Sequence, residues 1–411
     1  RDLRMSRGLG DVYKRQDTMR KTVHEPVAHL VKRVDMDRKK AWLIRLIAFA
    51  LSILACAIIT TAITKKDMGF FFKNFFGGAF STPRRVWGLF HETALLLLVA
   101  LAVTPCFKMR FWNIGGEGQI LMGALGCAVV INFMGGKSSD AGTIVLSLVV
   151  AMVFGALWSM IPAIFKARWN TNETLLTLMM NYIAVCLTEY FIKSVASTGT
   201  GTLTFTKGVV GSIGDNEFIL KIIIAAVITI LMYVYLRFSK HGYELTVVGE
   251  SENTARYIGI NSKKVIIRTL VLCGIIAGIT GFLLVSATNL DLNSKYTVNG
   301  RGFTGVLISW LAKFNPFAMV LTSFLVVFVQ KGAAEVSTYA RLGASFPSML
   351  AGVFFFFIIA SEFFINYKIM FNKKYFKIPA CFKKKKQAEV VAEEDKSVSY
   401  THLRAHETCA D

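Results

Sequence analysis

Long apolar segments recur along this sequence, separated by short polar or charged segments. Nine of the ten apolar runs approach or reach the roughly 20 residues that a helix needs to cross a bilayer, whereas the run 303–312 does not. That short run is expected to be a broken or re-entrant element lined by protein. The pattern predicts an all-α, polytopic membrane protein with about ten transmembrane helices or part-helices. The runs lie at roughly 41–64, 90–107, 118–134, 143–165, 174–194, 218–236, 267–288, 303–312, 316–331 and 346–366.

Composition and charge support a membrane protein and exclude several other classes. Hydrophobic residues make up 54% of the 411 residues and charged residues 18%, whereas soluble domains carry about 25% charged residues. Lys and Arg (47) outnumber Asp and Glu (26), which gives a net charge of +21. No soluble basic face is visible that would bind nucleic acid, so contact with membrane lipid is expected instead. The seven cysteines are scattered without a CxxC pair, which argues against a disulfide scaffold.

The two ends of the chain differ from the rest. Residues 1–16 and 397–411 resemble translated sequencing-library adapters and are interpreted as artefacts without a packed role. Between them we expect a basic N-terminal segment (17–40), a transmembrane domain (41–366) and a basic tail (367–396). Because Lys and Arg concentrate on the cytoplasmic side, both basic segments predict cytoplasmic termini. The region from Lys65 to Arg85 is also basic but would lie outside, and its many phenylalanines indicate an interfacial helix.

Two stretches resemble nucleotide-binding motifs, but neither has the required context. Gly300 to Gly305 matches G-x-G-x-x-G, yet an apolar helix follows it and no strand precedes it, so we interpret the glycines as sites of close helix packing. Gly136-Lys-Ser138 resembles the end of a P-loop, but Ile131 stands where the first glycine should be. The chain is therefore predicted not to be an enzyme, and any ATP hydrolysis is expected on another chain. We expect no cofactor and no metal.

Polar residues inside membrane segments are costly and are therefore candidates for function. One cluster opens the third apolar run and another opens the fifth, and their amides and carboxylates can line a substrate path. Each has a structural alternative: an acid at a helix N-terminus, an N-cap, or hydrogen bonds between helices. The substrate-path candidates are Asn113, Glu117, Gln119, Asn172, Glu173, Thr177 and Asn181.

A third cluster occupies residues 249–260, in the longest charged loop of the second half. Its pattern predicts a short amphipathic helix on the cytoplasmic side, followed by a glycine and a basic return to the bilayer. The plain interpretation is a solvated loop, and the alternative is a helix that docks on a cytoplasmic partner. The candidate residues for this docking are Glu250, Ala255, Arg256, Tyr257 and Gly259.

All three clusters together resemble one family, the inner-membrane permease subunits of ABC importers, in the branch with ribose-type and nucleoside permeases. The segment FWNIGGEGQILMG (111–123) is similar to N-I-G-x-E-G-Q-x-x-M-G, although Gly116 replaces a usual aliphatic residue. NETLLTLMMNYIA (172–184) is similar to N-E-x-x-x-T-L-M-x-N-Y-I, and ARYIGI (255–260) lies where these proteins place the helix that couples to the ATPase. GFTGV (302–306) resembles part of G-x-G-F-x-G-I. The resemblance runs from about residue 40 to 366.

The resemblance implies a permease subunit of an ATP-driven importer that forms the translocation path for nucleosides. Simple sugars of the ribose or galactose type are the alternative substrates. The implied partners are a second permease subunit, cytoplasmic ABC ATPase subunits, and an extracytoplasmic substrate-binding lipoprotein or periplasmic protein. The implied location is the cell membrane of a prokaryote, with several crossings.

A secondary transporter or channel that needs no ATPase is a hypothesis of a different class. It would be supported by ion-coupling carboxylates inside the spans. The carboxylates near spans, which we take to be Glu117, Glu173, Glu189 and Glu362, lie mostly at the ends of the apolar runs.

Overall fold

The structure is a computed structural model that describes residues 28–33, 36–134, 141–196, 201–205, 218–343 and 345–371. The predicted adapter-like segments 1–16 and 397–411 lie outside these ranges. The predicted all-α class is confirmed, because strands among the described residues are limited to two short antiparallel pairs. The helices are α1 (Arg38–Thr64), α2 (Met68–Phe80), α3 (Pro83–Lys108), α4 (Gly116–Phe133), α5 (Ala141–Trp169), α6 (Glu173–Val195), α7 (Ile219–Phe238), α8 (Lys240–Glu250), α9 (Glu252–Tyr257), α10 (Ser262–Leu283), α11 (Arg301–Leu311), α12 (Pro316–Ala340) and α13 (Ser345–Asn366).

The chain divides into two compact units, and the boundaries fall within α1 and α13. The smaller unit comprises residues 1–48 and 360–411. Within it, strand β1 (Ala28–Lys32) pairs antiparallel with β4 (Tyr367–Phe371). Ala28 lies opposite Phe371, and Lys32 lies opposite Tyr367. Arg45 and Glu362 form an ion pair of 2.6 Å in the same unit.

The larger unit, residues 49–359, contains most of the helices. Among all described residues, nine helices are long and apolar enough to cross a membrane. They correspond to nine of the ten predicted apolar runs: Lys39–Thr64, Pro83–Lys108, Gly116–Phe133, Ala141–Trp169, Glu173–Val195, Ile219–Phe238, Ser262–Asn289, Pro316–Ala340 and Ser345–Asn366. The remaining run, 303–312, forms the short helix α11.

Helix α11 is short and packs beside α3. Thr288, in the π-helical turn that follows α10 (Leu284–Asn289), lies 3.2 Å from His91, in the first third of α3. The chain then forms β3 (Asp291–Asn293), which pairs with β2 (Thr202–Thr204), and turns into α11. Since Ser309 of α11 lies 3.0 Å from Thr104 of α3, α11 runs parallel to α3 toward its last turns. The run 303–312 therefore forms a helix too short to cross a bilayer alone, as expected, and its re-entrant position in the membrane stays a prediction.

Glycines allow α4, α5 and α10 to pack with their backbones almost in contact. A Cβ added at Gly274 would overlap Ser159 and the Gly155 carbonyl of α5, and one at Gly278 would overlap the Ala151 carbonyl. Helices α3, α4 and α10 are mostly buried, whereas most of α5 is not. Lipid supplies no hydrophobic force between helices, so this close van der Waals packing holds α4, α5 and α10 together.

The phenylalanine-rich segment forms the predicted helix, α2. Phe71 and Phe75 are buried, whereas Phe72 and Phe76 are exposed. The buried side packs on α12, where Gly332 leaves room for the Phe75 ring. That α2 lies at the membrane interface stays a prediction.

Candidate functional site

The turn between α3 and α4 is closed by two buried amides. Asn113 Nδ2 donates to Gln119 Oε1 at 3.4 Å, and Gln119 Nε2 donates back to Asn113 Oδ1 at 3.3 Å. Asn113 Oδ1 also accepts the N–H of Gly115 at 3.1 Å. Because both side chains are almost fully buried, these hydrogen bonds fix the turn from the inside.

Two polar residues of α6, Thr177 and Asn181, lie four positions apart and pack against this same turn. Asn181 Oδ1 accepts the N–H of Gly118 at 2.8 Å, and its Nδ2 donates to the Ile114 carbonyl at 3.0 Å. Thr177 Oγ1 accepts the N–H of Ile114 at 3.2 Å. The structure therefore brings the two sequence clusters together. Side chains of the α6 cluster form hydrogen bonds with backbone groups of the cluster that opens α4. This arrangement agrees with hydrogen bonding between helices, and lining of the substrate path by these residues stays a prediction.

Glu117 connects the turn to the short helix α11. Its carboxylate accepts the N–H of Gly300 at 2.8 Å and that of Gly302 at 2.7 Å. Gly300 has a φ of +74°, a conformation that favours glycine, and it directly precedes α11. Glu117 lies in the first turn of its own helix, as the alternative interpretation expected, but it also binds the N-terminus of a second helix. Three of the four motifs of the resemblance, 111–123, 172–184 and 302–306, thus meet at one place.

Asn172 and Glu173 lie apart from this cluster, at the corner between α5 and α6. Asn172 Oδ1 accepts the N–H of Leu175 at 3.2 Å, which makes it the N-cap that the alternative interpretation proposed. Glu173 forms an ion pair of 2.7 Å with Lys166. Both contacts tie the corner together locally.

The segment 249–260 contains one short helix, α9, before Gly259, as predicted, and its first two residues belong to the end of α8. The two helices are separated at Ser251, whose hydroxyl accepts the N–H of Thr254 and caps α9. This N-cap starts α9 immediately after α8 ends. That the segment lies on the cytoplasmic side stays a prediction. Ala255 is buried and anchors α9, while Glu250 and Arg256 are exposed.

The far side of α9 presents apolar side chains to the outside of the unit. Tyr257 is 91% exposed and Ile258 is 55% exposed, and Gly259 then reverses the chain with a φ of +80°. A backbone this tightly turned holds both side chains away from the bundle. The pair forms a small apolar tip without cover from the described residues.

The base of this segment is fixed to the bundle. Gly249 packs directly on the backbone of Lys108 and Met109, at the end of α3. Arg268 donates to Glu244 at 2.9 Å, and this hydrogen bond holds the pKa of the Glu244 carboxyl below its ordinary value. The Glu244 carboxyl therefore stays ionised near neutral pH, and the pair joins α8 to α10.

Sequence reasoning missed an ionic cluster inside the larger unit. Glu92 of α3 binds Arg301 of α11 at 2.9 Å and lies 3.6 Å from Lys331 of α12. Glu92 thus joins the carboxylates near spans, for which the sequence analysis named four others. The signal was its position inside the apolar run 90–107, where an ionisable residue marks a candidate site.

The described residues contain no cluster of three or more His, Cys, Asp or Glu that would hold a metal ion.

The family described as "Branched-chain amino acid transport system / permease component" matches residues 87–360, which is more than half of the chain. This chain belongs to that permease family. With its nine candidate spans, the permease is a multi-pass protein of the plasma membrane.

Among its relatives, the permease resembles the guanosine ABC transporter permease protein NupP of Bacillus subtilis, at 27% identity over 78% of this chain and 93% of NupP. It is 29% identical to the glucose ABC transporter permease protein TsgB13 of Haloferax volcanii, over 67% of this chain and 76% of that protein. The nucleoside ABC transporter permease protein NupB of Lactococcus lactis is 25% identical, over 72% of this chain and 85% of NupB. The resemblance to ABC importer permeases is thereby confirmed.

Proposed function

We propose that this permease forms the translocation path for nucleosides in an ATP-driven importer. The observation that carries the proposal is that relatives named for guanosine and nucleoside transport match most of their own length. Simple-sugar transport is the second candidate, because a relative named for glucose transport matches with similar identity. In both cases the chain supplies the path, and ATP is hydrolysed on a partner chain.

The direct test is uptake by the complete importer, expressed from the genes that surround this one. We expect accumulation of labelled guanosine that depends on ATP and on the binding protein, with little accumulation of labelled glucose or ribose. Sugar uptake without guanosine uptake would replace the first candidate by the second. Uptake that persists without any ATPase subunit would favour a secondary transporter.

The proposed assembly contains a second permease subunit, two cytoplasmic ATPase subunits and an extracytoplasmic lipoprotein or periplasmic binding protein. We assign the ATPase contact to residues 249–260, with both termini on the same cytoplasmic side. The support is the exposed Tyr257–Ile258 tip, since an apolar tip on a charged loop suits insertion into a groove of a partner. Gly259 and Ala255 hold this tip in place, and Arg256 and Glu250 flank it.

The double substitution Arg256→Glu with Gly259→Pro is expected to abolish uptake while capture of substrate by the binding protein continues. Arg256 pairs with Glu252 at 2.8 Å, so the charge reversal disrupts α9, and proline cannot adopt the φ of +80° at Gly259. Co-purification of the ATPase with the permease and uptake are the two measurements. Tyr190→Ala is the control, because Tyr190 is 74% exposed on α6, away from the tip. If ATPase binding and uptake both survive the double change, the assignment is wrong.

A further inference from the structure

A cavity of about 310 Å³ lies among α3, α11, α12 and α13 of the larger unit. This volume is at the lower end of the range of about 300–1,000 Å³ that is usual for small-molecule sites. None of the substrate-path candidates from the sequence lines it. It is therefore a separate feature from the turn that Asn181 and Glu117 hold.

Part of the cavity lining is polar and charged. Glu92 and Arg301 form a mostly buried, neutral ion pair, and the additional positive charge is on Lys331, whose side chain is 44% exposed to solvent. The Gln330 amide also lines the cavity, and none of the hydrogen bonds found among the described residues uses it. An amide offers both a donor and an acceptor, which suits a neutral ligand with hydroxyl groups or base edges better than an ion.

The rest of the lining includes apolar side chains. Leu96 of α3, Val327 of α12 and Ala351 of α13 supply aliphatic surface to the same cavity as the polar groups. A ligand that matches both kinds of surface has an apolar face and a polar edge. This is the chemistry of a nucleoside, whose base has an apolar face and whose ribose and base edges form hydrogen bonds.

The position of the cavity along α3 also fits a site on a transport path. Glu92 lies 16 residues before Lys108, which is about 24 Å along a helix. Lys108 is where Gly249, at the base of the 249–260 segment, packs on the bundle. The cavity and the proposed ATPase contact therefore lie toward opposite ends of α3.

We propose that this cavity holds the substrate during passage, and that it selects a neutral nucleoside through Gln330 and the Glu92–Arg301 pair. The inference rests on the proposed nucleoside transport and adds the residues that contact the substrate. In this site Arg301 and Glu92 orient each other, Gln330 binds the polar edge of the ligand, and the aliphatic surface receives the base.

The test uses the complete importer in proteoliposomes, with labelled guanosine as the probe. Gln330→Leu removes the amide without changing charge and is expected to raise the KM for guanosine roughly three- to tenfold, with assembly unchanged. Thr338→Val is the matched control: Thr338 is an exposed residue two turns further along α12, outside the cavity, and its substitution should leave the KM unchanged.

A second variant keeps the test independent of the stability of the first. This variant is Ser348→Cys, which places a thiol on the α13 side of the cavity. It is made in a background in which three cysteines are replaced by serine: Cys186, Cys381 and Cys409. A charged methanethiosulfonate is expected to block uptake through this thiol, and guanosine should slow the labelling. Thr338→Cys should be labelled without protection by guanosine.

The outcomes separate the two proposals. If the unmodified importer takes up no nucleoside, the proposed function fails and this inference fails with it. If it takes up guanosine but the Gln330→Leu KM is unchanged and Ser348→Cys is not protected, the cavity is not the site. Equal protection by guanosine 5′-monophosphate would overturn the assignment to a neutral ligand. If Gln330→Leu does not assemble, the labelling of Ser348→Cys alone decides.

Discussion

Replacing Glu117 by alanine is expected to lower uptake per assembled transporter by at least about tenfold, because two charge-assisted hydrogen bonds to the start of α11 are lost. Hydrogen bonds to a charged group contribute roughly 1.5–3 kcal/mol each, and the Gly302 N–H would be left buried without a partner. Since α11 carries Arg301, its displacement also disturbs the pair with Glu92.

Glu117→Gln should give an intermediate loss, since a glutamine amide has one acceptor oxygen for two N–H donors. Uptake normalised to assembled complex, together with the melting temperature in detergent, measures both effects. Glu335→Gln is the control, because it removes a carboxylate from the Arg85 ion pair, near the ends of α3 and α12, without touching α11. Normal uptake by Glu117→Ala would show that α11 keeps its position without this carboxylate.

Gly278→Val is expected to remove most of the folded protein. Even a single Cβ at Gly278 would overlap the Ala151 carbonyl of α5 and crowd Met152, and valine adds two more methyl groups. Overpacking in a well-filled core costs about 1–3 kcal/mol where side chains can adjust, and a backbone neighbour cannot move aside in that way. The yield of monodisperse protein in size-exclusion chromatography is the measurement.

Gly352→Val on α13 is the matched control for this substitution. A Cβ at Gly352 meets no atom within 4 Å, so the same change in the same kind of apolar helix should be tolerated. Similar yields for the two variants would contradict the close packing of α5 and α10. A loss in both would point to the valine itself rather than to its neighbours.

The positions of the membrane helices could be predicted from the sequence because the length of an apolar run is a local property. The meeting of three of the four motifs could not, because no local pattern states which helices are neighbours. Thr177 and Asn181 lie at helical spacing, but their partners at Ile114 and Gly118 lie more than 60 positions away. The family resemblance placed the motifs in one protein without placing them in contact.

Two further features have local signals in the sequence. Ser251, followed directly by the acidic Glu252, is a typical N-cap and marks the break between α8 and α9. Glu92 lies near the start of an apolar run and was not named among the carboxylates near spans, although Pro83 begins the helix nine residues earlier. Longer helices than the apolar runs are usual when their ends carry charged residues to the membrane surface.

The two faces of helix α5 tolerate different amino-acid substitutions, and they therefore limit changes in the codons of this helix to different degrees. Its buried positions are almost all small and recur at intervals of about four, as at Ser147, Ala151, Gly155 and Ser159. The outward positions hold large aliphatic residues such as Val145, Val149 and Val153. Most single-base changes among Val, Leu, Ile and Phe codons are therefore tolerated on the outer face. On the inner face, even a change from glycine to alanine at Gly155 would place a Cβ against the Gly274 carbonyl of α10, so side-chain volume limits the variation of this helix.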